Sequence, residues 1–180
     1  MSLYTVYNLF FGNMNKDVTV SVAESITAGA LSNVLCSEPG SSKYFKGGVV
    51  AYSIASKKEI LNIDIKYAEE NNFANPFTTA EMAKSVVNMF NSRIGIATTG
   101  YSLPFSRPEN KVLGQCALNI KTPYAYICLH DKFNNSEIIK KIEFEYNENE
   151  SPAVQKANAQ ARTALKAKEM YLEYVNSITK

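Results

Sequence analysis

Apolar residues recur along the chain with two different spacings, which predict strands that alternate with helices. Runs that are rich in β-branched residues or that alternate predict five strands, over residues 17–23, 48–53, 94–98, 124–129 and 137–146. Apolar composition and spacing predict helices over residues 3–11, 27–35, 55–61 and 153–178. This order predicts a single α/β domain over residues 1–180, a three-layer α/β/α sandwich around a mixed, mostly parallel sheet of about five strands.

The clearest helix ends at about residue 90. Met82, Val86 and Met89 recur in it at three- and four-residue steps, and either Thr78 or Thr79 can cap its N-terminus. We expect this helix to cover one face of the sheet.

Residues 100–123 fit neither spacing and contain Pro104, Pro108 and Gly114. Connections of this length with little regular structure are uncommon and often cover a binding site. The segment is therefore a candidate lid.

Composition narrows the class of protein. Nineteen basic and seventeen acidic residues give a net charge of +2 without a run of five like charges, which favours neither a nucleic-acid nor a membrane partner. No apolar run reaches the 18 or so residues that cross a bilayer. The three cysteines have no paired C-x-x-C spacing, and the N-terminus does not resemble a secretory leader, so we expect a soluble cytoplasmic protein.

The chain has one histidine, His130, at the end of an apolar run. A Ser-His-Asp triad would have to recruit this residue, and a zinc site with three histidines cannot be built. We expect His130 to lie at the surface and assign it no role.

Ser25 stands between a predicted strand and a predicted helix, and this position favours nucleophilic chemistry. A serine hydroxyl needs a base, and its attack on an amide needs donors for the oxyanion, which backbone N–H groups at a helix start can supply. Without histidine, a lysine with a lowered pKa can be the base, and Lys57 and Lys58 are both candidates by position. The alternatives are that Ser25 is only an N-cap and that Lys57 is a solvated helix residue.

Two motifs support the interpretation of Ser25 as a nucleophile with a lysine as its base. Residues 22–29 read V-A-E-S-I-T-A-G, and residues 40–57 read G-S-S-K-Y-F-K-G-G-V-V-A-Y-S-I-A-S-K. They resemble the patterns A-E-S-x-T-G-G and G-S-S-x-x-F-x-G-G-x-x-x-Y-S-x-x-x-K of the CinA C-terminal domain family, the nicotinamide mononucleotide deamidases. The resemblance covers about the first half of the chain.

The resemblance implies hydrolysis of the carboxamide of nicotinamide mononucleotide to nicotinic acid mononucleotide and ammonia, with no metal or cofactor. It makes Ser25 the nucleophile and Lys57 the base, and it implies a homo-oligomer. It also implies that a further set of residues shapes the substrate pocket: Glu24, Thr27, Phe45, Gly47, Gly48, Tyr52, Thr99 and Gly100.

The second half departs from the family. Residues 99–104 read T-G-Y-S-L-P where the family has T-G-x-A-G-P and a glycine-rich turn, and a glycine-poor insert follows before Lys121. The family's S-E-P is replaced by A-N-P at residues 74–76, and its late G-D-R is replaced around residues 146–149, so an expected arginine is missing. Because arginine binds phosphate through charge and paired donors, an alternative is a catalytically silent nucleotide-binding or regulatory homologue. A generic nucleotide-binding module would require a glycine-rich phosphate motif, and none is present.

Overall fold

The core of the fold is one mixed sheet. In the computed structural model, which describes residues 18–64, 66, 68, 72–110 and 116–179, seven strands are present: β1 (Val20–Glu24), β2 (Phe45–Val50), β3 (Ile94–Tyr101), β4 (Phe105–Arg107), β5 (Leu118–Ile120), β6 (Tyr124–Asp131) and β7 (Ser136–Glu143). Five of them form a sheet in the order β2-β1-β3-β6-β7. The pairs β1–β2 and β1–β3 are parallel, whereas β6 runs antiparallel to β3 and β7. Four of the five strands therefore point the same way.

Helices cover both faces of this sheet. They are α1 (Ala30–Cys36), α2 (Ile54–Leu61), α3 (Pro76–Phe90) and α4 (Pro152–Ile178), and a 3-10 turn spans Ser41–Lys43. Apolar residues of α1 and α4 pack on one face of the sheet, whereas Leu61 of α2 and the buried side of α3 pack on the other. The predicted α/β fold with a mixed five-stranded sheet is confirmed. The helix predicted over residues 3–11 lies outside the described residues.

Close contact between α3 and the sheet depends on Gly95. A Cβ atom at this position would collide with the carbonyl oxygen of Ala83 and with Val87, so only glycine lets the helix lie at this depth. The same helix brings the Thr79 hydroxyl within 2.7 Å of the Thr99 hydroxyl near the end of β3. The helix is thereby fixed against the carboxyl end of that strand.

Several predicted boundaries were wrong, including the start of α3 and both ends of β2. The helix α3 begins at Pro76 because Asn75, rather than Thr78 or Thr79, is its N-cap, and the Asn75 side chain accepts from the Thr78 N–H at 2.8 Å. Strand β2 covers Phe45–Val50 rather than residues 48–53. It begins before Gly47 and Gly48, and it ends before Ser53 because Ser53 is the N-cap of the next helix.

Residues 100–123 contain more regular structure than the sequence predicted. Strand β3 continues to Tyr101, and β4 pairs with β5 as a small antiparallel sheet. The rings of Tyr101 and Phe105 stack with centroids 5.4 Å apart, which holds this β4–β5 hairpin against the end of β3.

The predicted surface position of His130 was wrong. His130 is 6% exposed because β7 pairs along the whole of β6 and makes β6 an interior strand. Its Nδ1 atom lies 3.9 Å from the Glu137 carboxylate, and burial lowers the pKa of the imidazole from its ordinary value.

None of the helices in the described part of the chain is both long and apolar enough to cross a bilayer.

Candidate active site

Ser25 directly follows the last residue of β1, at the carboxyl end of a central strand. Its backbone N–H donates to the Thr98 carbonyl of β3 at 3.0 Å, and the Ala51 N–H donates to the Glu24 carbonyl at 2.8 Å. The backbone beside Ser25 is therefore fixed by hydrogen bonds to β3 on one side and to the residue after β2 on the other. The residue is 9% exposed and does not cap α1, whose N-cap is Gly29.

Lys57 lies near the start of α2, and its side chain is buried. The Ser53 hydroxyl accepts from the Ser56 N–H at 3.0 Å, and the Ser56 hydroxyl accepts from the Ser53 N–H at 3.0 Å. This capping box fixes where the helix begins and hence which side chains point at the sheet. Lys57 is 5% exposed, whereas its neighbour Lys58 is exposed, so the solvated alternative for Lys57 is excluded.

The Lys57 ammonium has three acceptors. Its Nζ atom lies 2.9 Å from the Ser25 Oγ atom, 2.7 Å from the Ala51 carbonyl oxygen and 3.3 Å from the Tyr52 carbonyl oxygen. A lysine and a serine that stand 32 residues apart in the sequence are thus in direct contact. Acyl transfer by a serine requires that its hydroxyl lie within hydrogen-bond distance of a base.

Burial changes the protonation of Lys57. Desolvation lowers its pKa from 10.5 to about 8, because the charged form loses hydration inside the protein. At this value about a tenth of the side chains are neutral at pH 7, compared with well under a thousandth for an unperturbed lysine. Lys57 can therefore act as a base near neutral pH.

A cavity of about 440 Å³ opens beside this pair. Ser25 and Lys57 line it together with three other residues that the sequence analysis named, Tyr52, Thr99 and Gly100. The β4–β5 hairpin and the end of β3 supply much of the opposite wall, through Tyr101, Phe105 and Arg107 among others. Five residues predicted from the sequence therefore line the cavity, and they include both candidate catalytic side chains.

Glu24 and Thr27 support the turn around Ser25 rather than line the cavity. The Glu24 carboxylate is fully buried and accepts from the backbone N–H groups of Gly29 and Leu31 at 2.9 and 3.0 Å. The Thr27 hydroxyl lies 2.7 Å from that of Thr98, which joins the turn to β3. Both residues act on the backbone that carries Ser25.

Phe45, Gly47 and Gly48 lie in β2, also outside the cavity wall. Phe45 packs against the apolar core on the α1 and α4 side. Gly47 has a φ of 145°, and a side chain there would collide with the ring of Phe90. These three residues of β2 therefore serve the packing of the strand against the surrounding core.

The oxyanion would require a donor other than the Ser25 amide, since that N–H already donates to Thr98. The Ile26 amide makes no hydrogen bond to another described residue, and Ile26 lines the cavity next to Ser25. An N–H on the residue after a nucleophilic serine is a common oxyanion donor in other folds. The turn thus offers a donor where charge would develop.

Among the described residues, no group of three or more His, Cys, Asp or Glu side chains could hold a metal ion.

Residues 8–146 match the model of the CinA C-terminal domain. The chain belongs to this family. The match includes Ser25, Lys57 and all residues that line the cavity, because the last of these is Arg107.

Individual CinA relatives agree with this assignment. A putative competence-damage inducible protein of Listeria innocua serovar 6a is 41% identical over 93 residues, which is 52% of this chain and 22% of that protein. A CinA-like protein of Flavobacterium psychrophilum is 32% identical over 127 residues, 71% of this chain and 30% of that protein. The chain thus corresponds to less than a third of the length of these curated CinA relatives.

Solved structures of CinA proteins share the fold. The competence/damage inducible protein CihA of Agrobacterium tumefaciens has a TM-score of 0.70 at 18% identity, with 96% of this chain and 98% of that chain covered. A competence or damage-inducible protein of Enterobacter asburiae has a TM-score of 0.67 at 22% identity, with 88% and 87% covered. At these identities the likeness concerns the fold alone.

The cavity residues at the end of β3 and in the β4–β5 hairpin of this CinA-like chain were not predicted as site residues. Tyr101, Phe105 and Arg107 lie in the segment that fits neither spacing, and they were not named as site residues. Their signal was two aromatic residues and one arginine within a segment expected to cover the site. The position of Arg107 is of interest because the late family arginine is missing from this chain.

Proposed function

We propose that this CinA-like chain is an amidohydrolase that converts nicotinamide mononucleotide to nicotinic acid mononucleotide and ammonia, with Ser25 as nucleophile and Lys57 as base. The observation that carries the proposal is the 2.9 Å contact between Lys57 Nζ and Ser25 Oγ at the wall of the cavity. The lowered pKa of Lys57, about 8, supports it because a base must be neutral to accept a proton. The substrate comes from the motif resemblance of residues 22–29 and 40–57.

In the first half of the proposed reaction, neutral Lys57 takes the hydroxyl proton of Ser25 while Oγ attacks the carboxamide carbon. The carbonyl oxygen becomes an oxyanion, which the Ile26 amide is placed to stabilise. The Lys57 ammonium then gives its proton to the departing nitrogen, and the carbon–nitrogen bond breaks. Ammonia leaves, and a Ser25 ester of the pyridine acid remains.

In the second half, a water molecule attacks the ester and Lys57 takes its proton. Collapse of this second intermediate breaks the bond between the carbon and Ser25 Oγ, and Lys57 returns the proton to that oxygen. The products are the carboxylic acid and the starting enzyme. The Ala51 and Tyr52 carbonyl oxygens hold Lys57 in place through both steps, as they do in the free protein.

The cavity wall suits an aromatic substrate. Tyr52 and the stacked pair of Tyr101 and Phe105 present ring surfaces to the space beside Ser25. Lys156 of α4 contacts the hydroxyl of Tyr52 at 3.3 Å and lies 5.7 Å from its ring centroid, which limits the positions of a side chain that is otherwise 57% exposed. A pyridine carboxamide can stack on such rings while its amide reaches Ser25.

The test is ammonia release from purified protein with nicotinamide mononucleotide, nicotinamide riboside and nicotinamide in parallel. We expect repeated turnover with the mononucleotide, none in Ser25→Ala, and nearly parental turnover in Lys58→Ala, the matched control on the exposed side of α2. Nucleotide binding by calorimetry without product after long incubation would instead identify the silent homologue, which the altered segment after Gly100 favours. The same preparation tests the expected homo-oligomer by its mass in solution.

A further inference from the structure

The β4–β5 hairpin brings one guanidinium group to the cavity. Arg107 lines the cavity, and its Nη2 atom donates to the Cys116 carbonyl oxygen at 3.1 Å. Its Nε atom is buried and has no hydrogen-bond partner in the part of the chain that the structure describes. A buried donor without a partner costs free energy, so a ligand that supplies acceptors next to this group gains affinity.

Among the described residues, none of those that line the cavity is an acidic residue that could neutralise this arginine. Lys57 and Arg107 are the only ionisable basic residues among the described residues that line it, and no Asp or Glu belongs to the lining. Burial raises the pKa of Tyr101 to about 12, so its phenol is neutral at physiological pH. Since Lys57 must be neutral to act as a base, Arg107 is the permanent charge of the site. Its sign favours an anionic ligand.

Contacts of Tyr101 hold the hairpin. The Tyr101 hydroxyl donates to the Asn72 Oδ1 atom at 2.8 Å, and the Tyr101 ring stacks on Phe105 two residues before Arg107. The bond to the Cys116 carbonyl oxygen then orients the guanidinium itself. An arginine that is anchored in this way loses little side-chain entropy when it binds a ligand.

We propose that Arg107 binds the phosphate of the substrate and thereby makes the enzyme specific for a phosphorylated pyridine nucleotide over its riboside. The inference rests on the proposed function and names the group that selects its substrate. Residues 146–149 lack the arginine expected there, and Arg107 supplies a guanidinium from a different element. Guanidinium groups bind phosphate through paired donors as well as charge.

The experiment compares kcat/KM for nicotinamide mononucleotide and nicotinamide riboside in the parent protein, Arg107→Gln, Arg107→Lys and the control Arg162→Gln. Arg162 is exposed and lies over the Phe144 ring, outside the cavity wall, and its substitution removes the same charge. We expect Arg107→Gln to lower kcat/KM about 10- to 100-fold for the mononucleotide and less than about twofold for the riboside. Arg107→Lys should lie between, because lysine keeps the charge but not the fork of donors.

A parental preference for the mononucleotide in folded Arg107→Gln would overturn the inference, as would an equal loss with both substrates. If Arg107→Gln does not fold by circular dichroism, Arg107→Lys gives the same comparison with a smaller expected loss. If the parent protein releases no ammonia from either amide, the proposed function fails, and calorimetry with nicotinic acid mononucleotide and its riboside still tests Arg107. The inference then requires tighter binding of the mononucleotide that Arg107→Gln removes.

Discussion

The carboxylate of Glu24 accepts a hydrogen bond of 2.5 Å from the hydroxyl of Ser32, across the turn that carries the candidate nucleophile. The backbone N–H groups of Gly29, Leu31 and Ser32 donate to the same carboxylate. The N-cap of α1, Gly29, has no side chain to offer, so a glutamate five residues upstream takes over the capping. Glu24 thus holds both ends of the turn in which Ser25 lies.

We therefore expect Glu24→Gln to lower the free energy of unfolding by about 2–3 kcal/mol, because an amide nitrogen would face donors that now meet charged oxygens. Urea denaturation of the variant and the parent measures the difference. Glu81→Gln, on the exposed side of α3, is the control and should change stability by less than about 0.5 kcal/mol. Equal stability of Glu24→Gln and the parent would contradict the capping role.

Ser25→Ala should abolish amide hydrolysis and leave the fold intact. The substitution removes one of the three acceptors of the Lys57 ammonium, which should cost about 1–2 kcal/mol of stability. Ammonia release and a thermal melt, measured on the same sample, separate the two effects. Turnover by the folded variant would remove Ser25 as the nucleophile.

Lys57→Arg should be nearly as inactive as Lys57→Ala, with a loss of at least about 100-fold in kcat. Arginine keeps the positive charge but is not deprotonated in proteins, so it cannot accept the proton of Ser25. Lys58→Ala, on the neighbouring exposed position, should retain most of the activity. If Lys57→Arg kept substantial activity, Lys57 would have an electrostatic role and another base would have to act.

Activity should rise with pH and level off above about 8, the pKa of Lys57. The sign follows from the base, which is protonated and inactive below its pKa and neutral above it. The profile of kcat/KM between pH 6 and pH 9.5 for nicotinamide mononucleotide gives the apparent pKa of the free enzyme. A flat profile over this range would show that the proton acceptor is not Lys57.

The free energy of unfolding should also depend on pH through the protonation of Lys57. The pKa of Lys57 is about 8 in the folded protein and near 10.5 when solvated, so between these values the unfolded chain binds more protons and stability rises with pH. Relative to Lys57→Met, the parent should gain about 3 kcal/mol across this window. Urea denaturation of both proteins at pH 7.5, 9 and 10 measures the difference, and a constant difference would contradict the lowered pKa.

Much of the fold could be predicted because its elements have a clear period. The spacing of Met82 and Val86 predicted α3, and the β-branched run around Val20 predicted β1. The ends of β2 and β3 were predicted wrongly, since β2 begins at Phe45 rather than at residue 48 and β3 continues to Tyr101 rather than ending at residue 98. Gly47 and Gly100 lie in these additional strand residues, at positions where the ring of Phe90 and the backbone of Tyr124 leave no room for a side chain.

The site was predicted less completely, for a different reason. The motifs named Ser25 and Lys57, and these residues meet in space, but the spacing of a motif does not distinguish cavity residues from residues that support the backbone. Glu24 and Gly48 belong to the second kind. Glu24 accepts a hydrogen bond from Ser32 of α1, and a side chain at Gly48 would collide with the Ser32 hydroxyl. Arg107 belongs to the first kind, and it lies in a segment without a clear period, so only the pairing of β4 with β5 shows where it lies.

The turn between β6 and β7 is a suitable place to attach the protein to a label or a surface. In β3, which is paired along its length with β6, Ile94 is opposite Asp131, whereas Thr99 and Gly100 at the other end line the cavity. At about 3.3 Å per residue, that turn is separated from the cavity by roughly 15–20 Å of sheet. Phe133 in the turn is 75% exposed, so a cysteine introduced there could carry a fluorophore or a tether once the exposed Cys36 and Cys116 are replaced by serine. A tether to the surface of a flow cell, or a probe that reports rotation in solution, could be attached at this end of the molecule without covering the cavity beside Ser25.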